Sequence, residues 1–481
     1  MVETDQPIVP RLPRVAWVLA LIVAFAFPLL FPGQTPFVND EPGLITMALD
    51  LNAQGQIAHY GYAGSQGRRY GPLVLWVFQL ILSVTHDPIA VMTIYIAILS
   101  ATLVGGLAWI QRATGLWRWG LLAIAMSPYA WFYRRMLWDN VFNIGLGTLA
   151  LAAYASFLAR PRSWILALSL YLAGLMLLVH LMAAPLIAAI GTHLLIFRWN
   201  EARSRLIFIA IAGIAVFATG WVYWPYLLSG DVDRANLSST FNGWWFALLG
   251  PRVLSAAWIE YLFPTPWLRG DRTWYTLLTA CRVVALLAFP ITWLGLCLGA
   301  AALVRRRERS ESVTIELARV GAITVLAQLL LNGVTHTYGH PHYYNGTWAA
   351  LVVLAWIGID RITRLTLGRV VAWVQIVAVA GATTLLLARV VRTGGTRQMH
   401  FGTTLAEQVR VVRDMSHYAP GGPIEVQAAI YPHALQTILR LSPPQRTGVG
   451  PAASLVVRYT STDPNDAHVE LAPASADEVP H

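Results

Sequence analysis

The sequence predicts an all-α polytopic membrane protein of about eleven transmembrane helices, followed by a small outer α/β region, and three observations lead there. The chain of 481 residues is 56% hydrophobic and only 12% charged, with mean hydropathy +0.55, whereas a soluble domain carries roughly 25% charged residues. Apolar runs of spanning length recur along it. The formal charge of +10 comes from 34 basic residues, all arginine because lysine is absent, and most sit in short clusters between apolar runs. That is membrane orientation code and not a nucleic-acid footprint. A length that would suggest about three soluble domains therefore describes one membrane module, residues 1–391, and a tail, 392–481. Cys281 and Cys297 fall in one apolar run without metal-type spacing, so they read as small core residues and not as a disulfide or zinc site.

The first run, Val15 to Pro32, follows Arg11 and Arg14 and lacks a small-residue cleavage site. It reads as an uncleaved helix with a cytoplasmic N-terminus. Further runs cover roughly 88–110, 119–133, 141–158, 164–179, 181–197, 206–224, 275–303, 317–334, 347–360 and 370–391. With this map the arginines gather in the loops assigned inside: Arg112 and Arg118; Arg160 and Arg162; Arg198, Arg203 and Arg205; Arg305, Arg306, Arg307 and Arg309; Arg361, Arg364 and Arg369. Counting the apolar stretch Gly71 to Thr85 as a span would reverse every later loop, and it is short for a crossing. It reads as interfacial or re-entrant.

Three polar loops then share the outer face: 33–70, 134–140 and 335–346. A fourth outer stretch, about 225–272, holds Trp244, Trp245, Trp258 and Trp267, with Trp274 just beyond, and reads as an amphipathic lid in the headgroup layer. After Val391 the composition turns to Pro, Gly, Ser and Asp. A helix-like stretch (406–415), two strand-like ones (424–431 and 454–459) and a disordered end from Ser461 are expected there. No internal repeat is visible.

The first outer loop opens with Asn39, Asp40, Glu41, Pro42 and Gly43. A carboxylate near the membrane boundary has a raised pKa and makes a competent general base. Asp40 also precedes an apolar stretch, Leu44 to Leu51, where acids cap a helix, and both readings stand. The second loop reads Tyr133, Arg134, Arg135, Met136, Leu137, Trp138, Asp139, Asn140. Two arginines and an acid so close to hydrocarbon mark either a site or headgroup anchors with Asp139 as a cap. The third runs from His336 through His340, Pro341 and His342 to Tyr343, Tyr344 and Asn345. An extended chain points residues i and i+2 to one side, so His340 and His342 suit a metal, a phosphate or an aromatic interface belt. His180, at another outer helix end, is a further member or an ordinary hydrogen-bonded histidine.

Taken in order, an acidic pair after the first helix, a loop ending in Tyr70 to Leu73, and the Arg-Arg-Met-Leu-x-Asp turn resemble the GT-C glycosyltransferases. These are the integral-membrane enzymes related to protein O-mannosyltransferases and the aminoarabinose transferase of lipid A. Asp40, Glu41 and Ala48 match that group's Asp-Glu and following helix, Arg134 to Asp139 its Arg-x-x-x-x-Asp block, and His340 to Tyr344 its late His-Tyr segment. The motifs span about thirty positions within an architecture covering roughly residues 12–360. Pro42 and Gly43 depart from the pattern by interrupting the expected helix, and no lysine can hold a phosphate.

The resemblance implies a sugar donor on a polyprenyl phosphate, an acceptor hydroxyl on a glycan, lipid or protein, and inverting transfer at the outer face of the inner or plasma membrane. Asp40 or Glu41 would be the base and Asp139 would position the acceptor or share a metal. Arg68, Arg69, Arg134, Arg135, His340 and His342 are the candidate phosphate contacts, arginine's planar fork suiting that role. Tyr70, His180, Tyr343 and Tyr344 are candidate donor or acceptor contacts. The cofactor expectation stays open between none and a divalent Mg²⁺ or Mn²⁺ held by Asp40, Glu41, Asp139 and His340. A transporter or flippase is the rival class, but such proteins place ionisable residues near the bilayer midplane, whereas here the acids gather at one face. A polymerase or ligase of lipid-linked glycans would share donor and face, differing in acceptor.

Overall fold

The computed structural model describes residues 14–38, 40–63, 69–228, 263, 265–304, 312–335, 341–397, 401–418, 424–427, 432–442 and 453–473. Helices dominate: α1 (Arg14–Ala26), α2 (Asp40–Ala53), α3 (Leu73–Val84), α4 (Pro88–Thr114), α5 (Gly120–Ala125), α6 (Pro128–Arg134), α7 (Phe142–Ala159), α8 (Ser163–Leu177), α9 (Ala184–Phe197), α10 (Trp199–Arg203), α11 (Leu206–Thr219) and α12 (Trp224–Leu228). They continue with α13 (Thr265–Arg269), α14 (Arg272–Ala285), α15 (Ala288–Val304), α16 (Val313–Thr335), α17 (Trp348–Ile362), α18 (Thr366–Thr393), α19 (Leu405–Tyr418) and α20 (Pro432–Leu441).

Among the described residues five segments are long and apolar enough to cross a membrane, 88–114, 139–159, 272–304, 313–333 and 366–393, and five shorter apolar helices accompany them. The protein is a multi-pass membrane protein. Its longest spans have local start and stop signals: the Asp87 side chain accepts the Ala90 N–H at 2.8 Å, Pro88 opens α4, and Gly115 closes it in the left-handed region at φ 72°. At 27 residues α4 is about 40 Å long. The 12-residue α3 reaches only about 18 Å, too little to cross a hydrocarbon core of about 30 Å.

Two expected spans take other forms. The run 119–133 is broken into α5 and α6, because Ser127 accepts from the Ala130 N–H and Pro128 sits at the first helical position. The run 347–360 becomes the 15-residue α17, buried on nearly every side. Glycine makes that burial possible. A Cβ on Gly295 would lie 1.9 Å from the Leu354 carbonyl, and one on Gly358 would lie 2.0 Å from that of Ile291, so α15 and α17 touch backbone to backbone. The tryptophan-rich stretch also differs from a headgroup-layer lid where it is described. Trp267 is buried and donates its Nε1 to Thr393 Oγ1 at 3.0 Å, and Trp274 donates to the Leu385 carbonyl at 3.0 Å. Trp244, Trp245 and Trp258 lie outside the described residues.

Of the arginines expected in the inner loops, Arg112, Arg160, Arg162 and Arg205 collect at one end of the bundle. Arg112, Arg160 and Arg162 line one cavity there, and Arg205 donates to the Pro161 carbonyl at 3.0 Å. Nearby, Glu316 on α16 receives His193 Nε2 at 2.7 Å, Arg198 Nη2 at 2.6 Å and Arg319 Nη1 at 3.3 Å, pinning α16 to α9. Such a carboxylate is tolerable in a membrane helix because paired cations and hydrogen bonds satisfy it.

The C-terminal region is α/β. Strands β1 (Ile424–Gln427), β2 (Ala453–Tyr459) and β3 (Val469–Pro473) form one sheet in that order, β1 parallel to β2 with α20 between them, and β2 antiparallel to β3. The disordered end expected from Ser461 instead contains β3, which buries Val469 and Leu471 on alternate positions. The region docks on the segment after α1: Leu405 N donates to Thr35 O at 3.0 Å, Gln408 Nε2 to Phe37 O at 2.9 Å, and Thr437 and Thr46 hydroxyls meet at 2.8 Å.

Candidate active site

The first turn of α2 separates the two adjacent acids. The helix runs through Pro42 and Gly43 without a break, since a proline in the first turn lacks only an N–H that would have no intrahelical partner anyway. Glu41 turns inward, 1% exposed, and its Oε2 accepts the Val38 N–H at 3.3 Å, the backward reach of a capping residue. Asp40 turns outward into a recess beside Tyr62. Protein walls around that recess push the Asp40 carboxyl above the ordinary carboxylate range. Its charge, after the larger effect of burial, helps hold the Tyr62 hydroxyl protonated. Of the acidic pair, only Asp40 faces a space that a reactant can enter.

The second loop is built around its arginines, and these do not face that space. Arg134 and Arg135 are 1% and 2% exposed. Arg134 donates to the Ala130 carbonyl at 2.9 Å, the Ala24 carbonyl at 3.2 Å and the Ala125 carbonyl. Arg135 holds four carbonyls of the turn after α1: Pro28 at 2.6 Å, Leu30 at 2.7 Å, Phe31 at 2.7 Å and Gln34 at 3.0 Å. Phe31 sits in that turn at φ 52°, a left-handed conformation that only Gly adopts freely. The expectation that both arginines bind a donor phosphate is therefore corrected: their forks are occupied by backbone. Asp139, at the end of the same turn, does face the recess and accepts the Asn140 N–H at 2.6 Å. Tyr95 fixes the turn by donating to the Met136 carbonyl at 3.0 Å or the Trp138 carbonyl at 3.2 Å.

A third wall comes from Tyr70 and His180, whose rings lie 4.0 Å apart between centroids. His180 Nδ1 accepts the Met182 N–H at 3.1 Å, which leaves Nε2 as the ring's N–H donor. Burial holds the imidazole neutral, its pKa pushed down to about 3. The last wall is a 3₁₀ turn, Pro341–Tyr344. His342 and Tyr343 line the recess, whereas Tyr344 is 2% exposed and belongs to the core, a correction to its expected contact role. Beneath them Tyr129 donates to Asn345 at 2.7 Å and Asn345 to Asn140 at 2.9 Å, a buried polar chain that fixes the floor.

Together Asp40, Asp139, His180, His342, Tyr70 and Tyr343 line one cavity of about 400 Å³. Tyr62, Trp138 and Asn140 line it too and escaped the sequence reading, although Trp138 and Asn140 flank Asp139 directly. Arg69 precedes Tyr70, exposed, with its guanidinium 4.1 Å over the Tyr60 ring and its backbone tied to Tyr226 and Tyr223 hydroxyls. Arg68 and His340 lie outside the described residues. Among the described residues no three His, Cys, Asp or Glu side chains converge as metal ligands, and Glu41 is not among the residues that line the cavity.

No protein-family model matches the chain, and no curated protein matches it in sequence. Among solved structures it is similar to ArnT from Cupriavidus metallidurans, crystallised in the apo state, with TM-score 0.51 and 13% identity over 97% of this chain and 99% of that one. The chain shares the ArnT fold. At that identity the likeness is one of architecture, and it extends over nearly the whole chain. The ArnT-like architecture is the one that the GT-C resemblance of the acidic pair and the arginine turn implies.

Proposed function

We propose that this protein is a membrane glycosyltransferase that moves a sugar from a polyprenyl-phosphate donor to an acceptor hydroxyl at the outer face of the inner or plasma membrane, with inversion. The observation that carries the reading is the convergence of Asp40, Asp139 and a neutral, N–H-donating His180 on one cavity within an ArnT-like fold. In the proposed reaction the acceptor oxygen attacks the anomeric carbon while Asp40 takes the hydroxyl proton, and the bond from that carbon to the phosphate oxygen breaks. The phosphate leaves with the bonding electrons, so it needs charge stabilisation more than a proton. Arg69 is the described cation nearest in sequence to the cavity wall, and His342 and the neutral His180 N–H are further donors for the same task. Asp139 positions the acceptor. The test is transfer from a radiolabelled polyprenyl-phosphate sugar by the purified full chain, with the anomeric configuration of the product read by NMR. Retained configuration, or no transfer with any such donor under conditions where the chain is folded, overturns the proposal.

A further inference from the structure

The end of the bundle opposite the candidate active site carries a second cavity that the proposed transfer does not use. Asp139 opens the stretch leading into α7, and the second cavity lies at that helix's far end, where α7 meets the close of α4 and the start of α8. Eighteen helical residues, about 27 Å, separate the two. The cavity measures about 300 Å³, and its charged lining is Arg112, Arg160 and Arg162. Among the described residues Ser156 is its other polar side chain, and none lines it with a carboxylate.

Among the described residues acids are available elsewhere at this end and are paired there. Glu316 pairs with Arg198 and Arg319, Glu201 with Arg198, and Asp360 with Arg364. Among the described residues no ion pair engages Arg112, Arg160 or Arg162. Three guanidiniums facing one hollow repel each other unless an anion lies between them. The remaining lining, Trp109, Ala113, Ala159 and Ile165, is apolar or aromatic, and Trp164 beside it is 56% exposed. Exposed tryptophan next to arginine at helix ends marks headgroup depth. A ligand here therefore needs a negatively charged oxygen cluster above and hydrocarbon below.

We propose that this cavity binds an anionic phospholipid, its phosphate held by Arg112, Arg160 and Arg162 and its acyl chains lying along the lipid-facing side of α4 and α8. The shared chemistry with free phosphate is the three-arginine anchor, and the apolar walls favour the lipid. The site is independent of the transfer reaction, and its test does not read activity.

The full chain is purified in mixed micelles of phosphatidylglycerol and phosphatidylcholine, and retained lipid is counted by native mass spectrometry. Wild type is expected to retain phosphatidylglycerol selectively, and Arg112→Gln/Arg160→Gln/Arg162→Gln to lose at least about tenfold of that preference, each interfacial arginine contributing about 1 kcal/mol. Because neutralising three arginines can disturb membrane insertion, Ala159→Phe is measured alongside it. This change fills the cavity at an exposed position and keeps every charge, and it is expected to lose the preference too. Equal retention of both lipids by wild type, or undiminished preference in Ala159→Phe, overturns the proposal. Excess inorganic phosphate is expected to leave the lipid in place, and its displacement would make this a phosphate site and overturn the lipid assignment.

Discussion

Tyr70 lies on His180 with ring centroids 4.0 Å apart and planes 33° from parallel, joining the end of the first polar loop to the turn between α8 and α9. The contact exists because Gly71 lets the two backbones meet: a Cβ there would lie 2.1 Å from the Leu178 carbonyl, the same oxygen that accepts the Leu73 N–H at 3.1 Å. Two loops more than a hundred residues apart thereby form one wall of the cavity.

Gly71→Ala should therefore cost activity through misplacement. A shift of about 1 Å in a reacting group lowers rate by about 100-fold, and transfer should fall by at least about tenfold while the spans stay inserted. Tyr70→Phe, which keeps the ring, should stay near wild type. Normal transfer by Gly71→Ala would remove this wall from the mechanism.

The two acids of α2 should fail differently. Asp40→Asn is expected to reduce kcat by about 100-fold to 10,000-fold, the usual loss of a positioned base, with protein yield and donor binding nearly unchanged. Glu41→Gln should act on stability, since its carboxylate holds the Val38 N–H inside the protein, and surviving protein should turn over. Inactive but stable Glu41→Gln together with active Asp40→Asn would exchange their roles.

The pH dependence follows from Asp40. A base works only when ionised, and burial raises its pKa, so kcat/KM should be full above that raised value and fall as pH drops through it. The acidic limb should lie above the about 3.9 of an ordinary aspartate. His180 stays neutral throughout and should add no second limb. A limb at or below the ordinary aspartate value, measured on wild-type protein, speaks against Asp40 as the base.

Arg135→Ala should destabilise the protein and not merely weaken donor affinity. It leaves the buried Pro28 carbonyl and three part-buried ones without their donor, a loss of roughly 3 kcal/mol, read as lower yield and a lower unfolding temperature in detergent. Arg135→Lys should not rescue it, because one ammonium cannot reproduce the planar fork. A stable variant with only weakened donor binding would return this arginine to the phosphate.

Metal dependence is settled by chelation. With Glu41 turned away from Asp40 and Asp139, we expect transfer to survive EDTA largely unchanged. Activity lost to EDTA and restored by Mg²⁺ or Mn²⁺ would instead make Asp139 the first ligand to mutate.

The sequence by itself determined what depends on composition and local order. Few charges and long apolar runs require a membrane protein, because water cannot solvate such a chain. The Asp87-Pro88 start and the Gly115 stop bound α4 without reference to any other helix, and strands near Ile424 and Ser454 follow from local pattern. The acidic pair and Arg134 to Asp139 were legible as a site by their cost near hydrocarbon. Only the tertiary structure decided which of these residues reach the cavity. Asp40 and Glu41 are neighbours with the same chemistry, and the packing of α2 against α3 and α20 turns one outward and the other inward. Arg134 and Arg135 read as phosphate ligands until packing fills their forks with carbonyls, those of Ala24, Ala125 and Ala130 for Arg134 and those of the turn after α1 for Arg135. The glycine contacts that bury α17 likewise depend on neighbours distant in sequence, whereas the Ser127-Pro128 break in the run 119–133 is a local helix start. An apolar run records only that a segment avoids water. Whether lipid or protein covers it is fixed by packing.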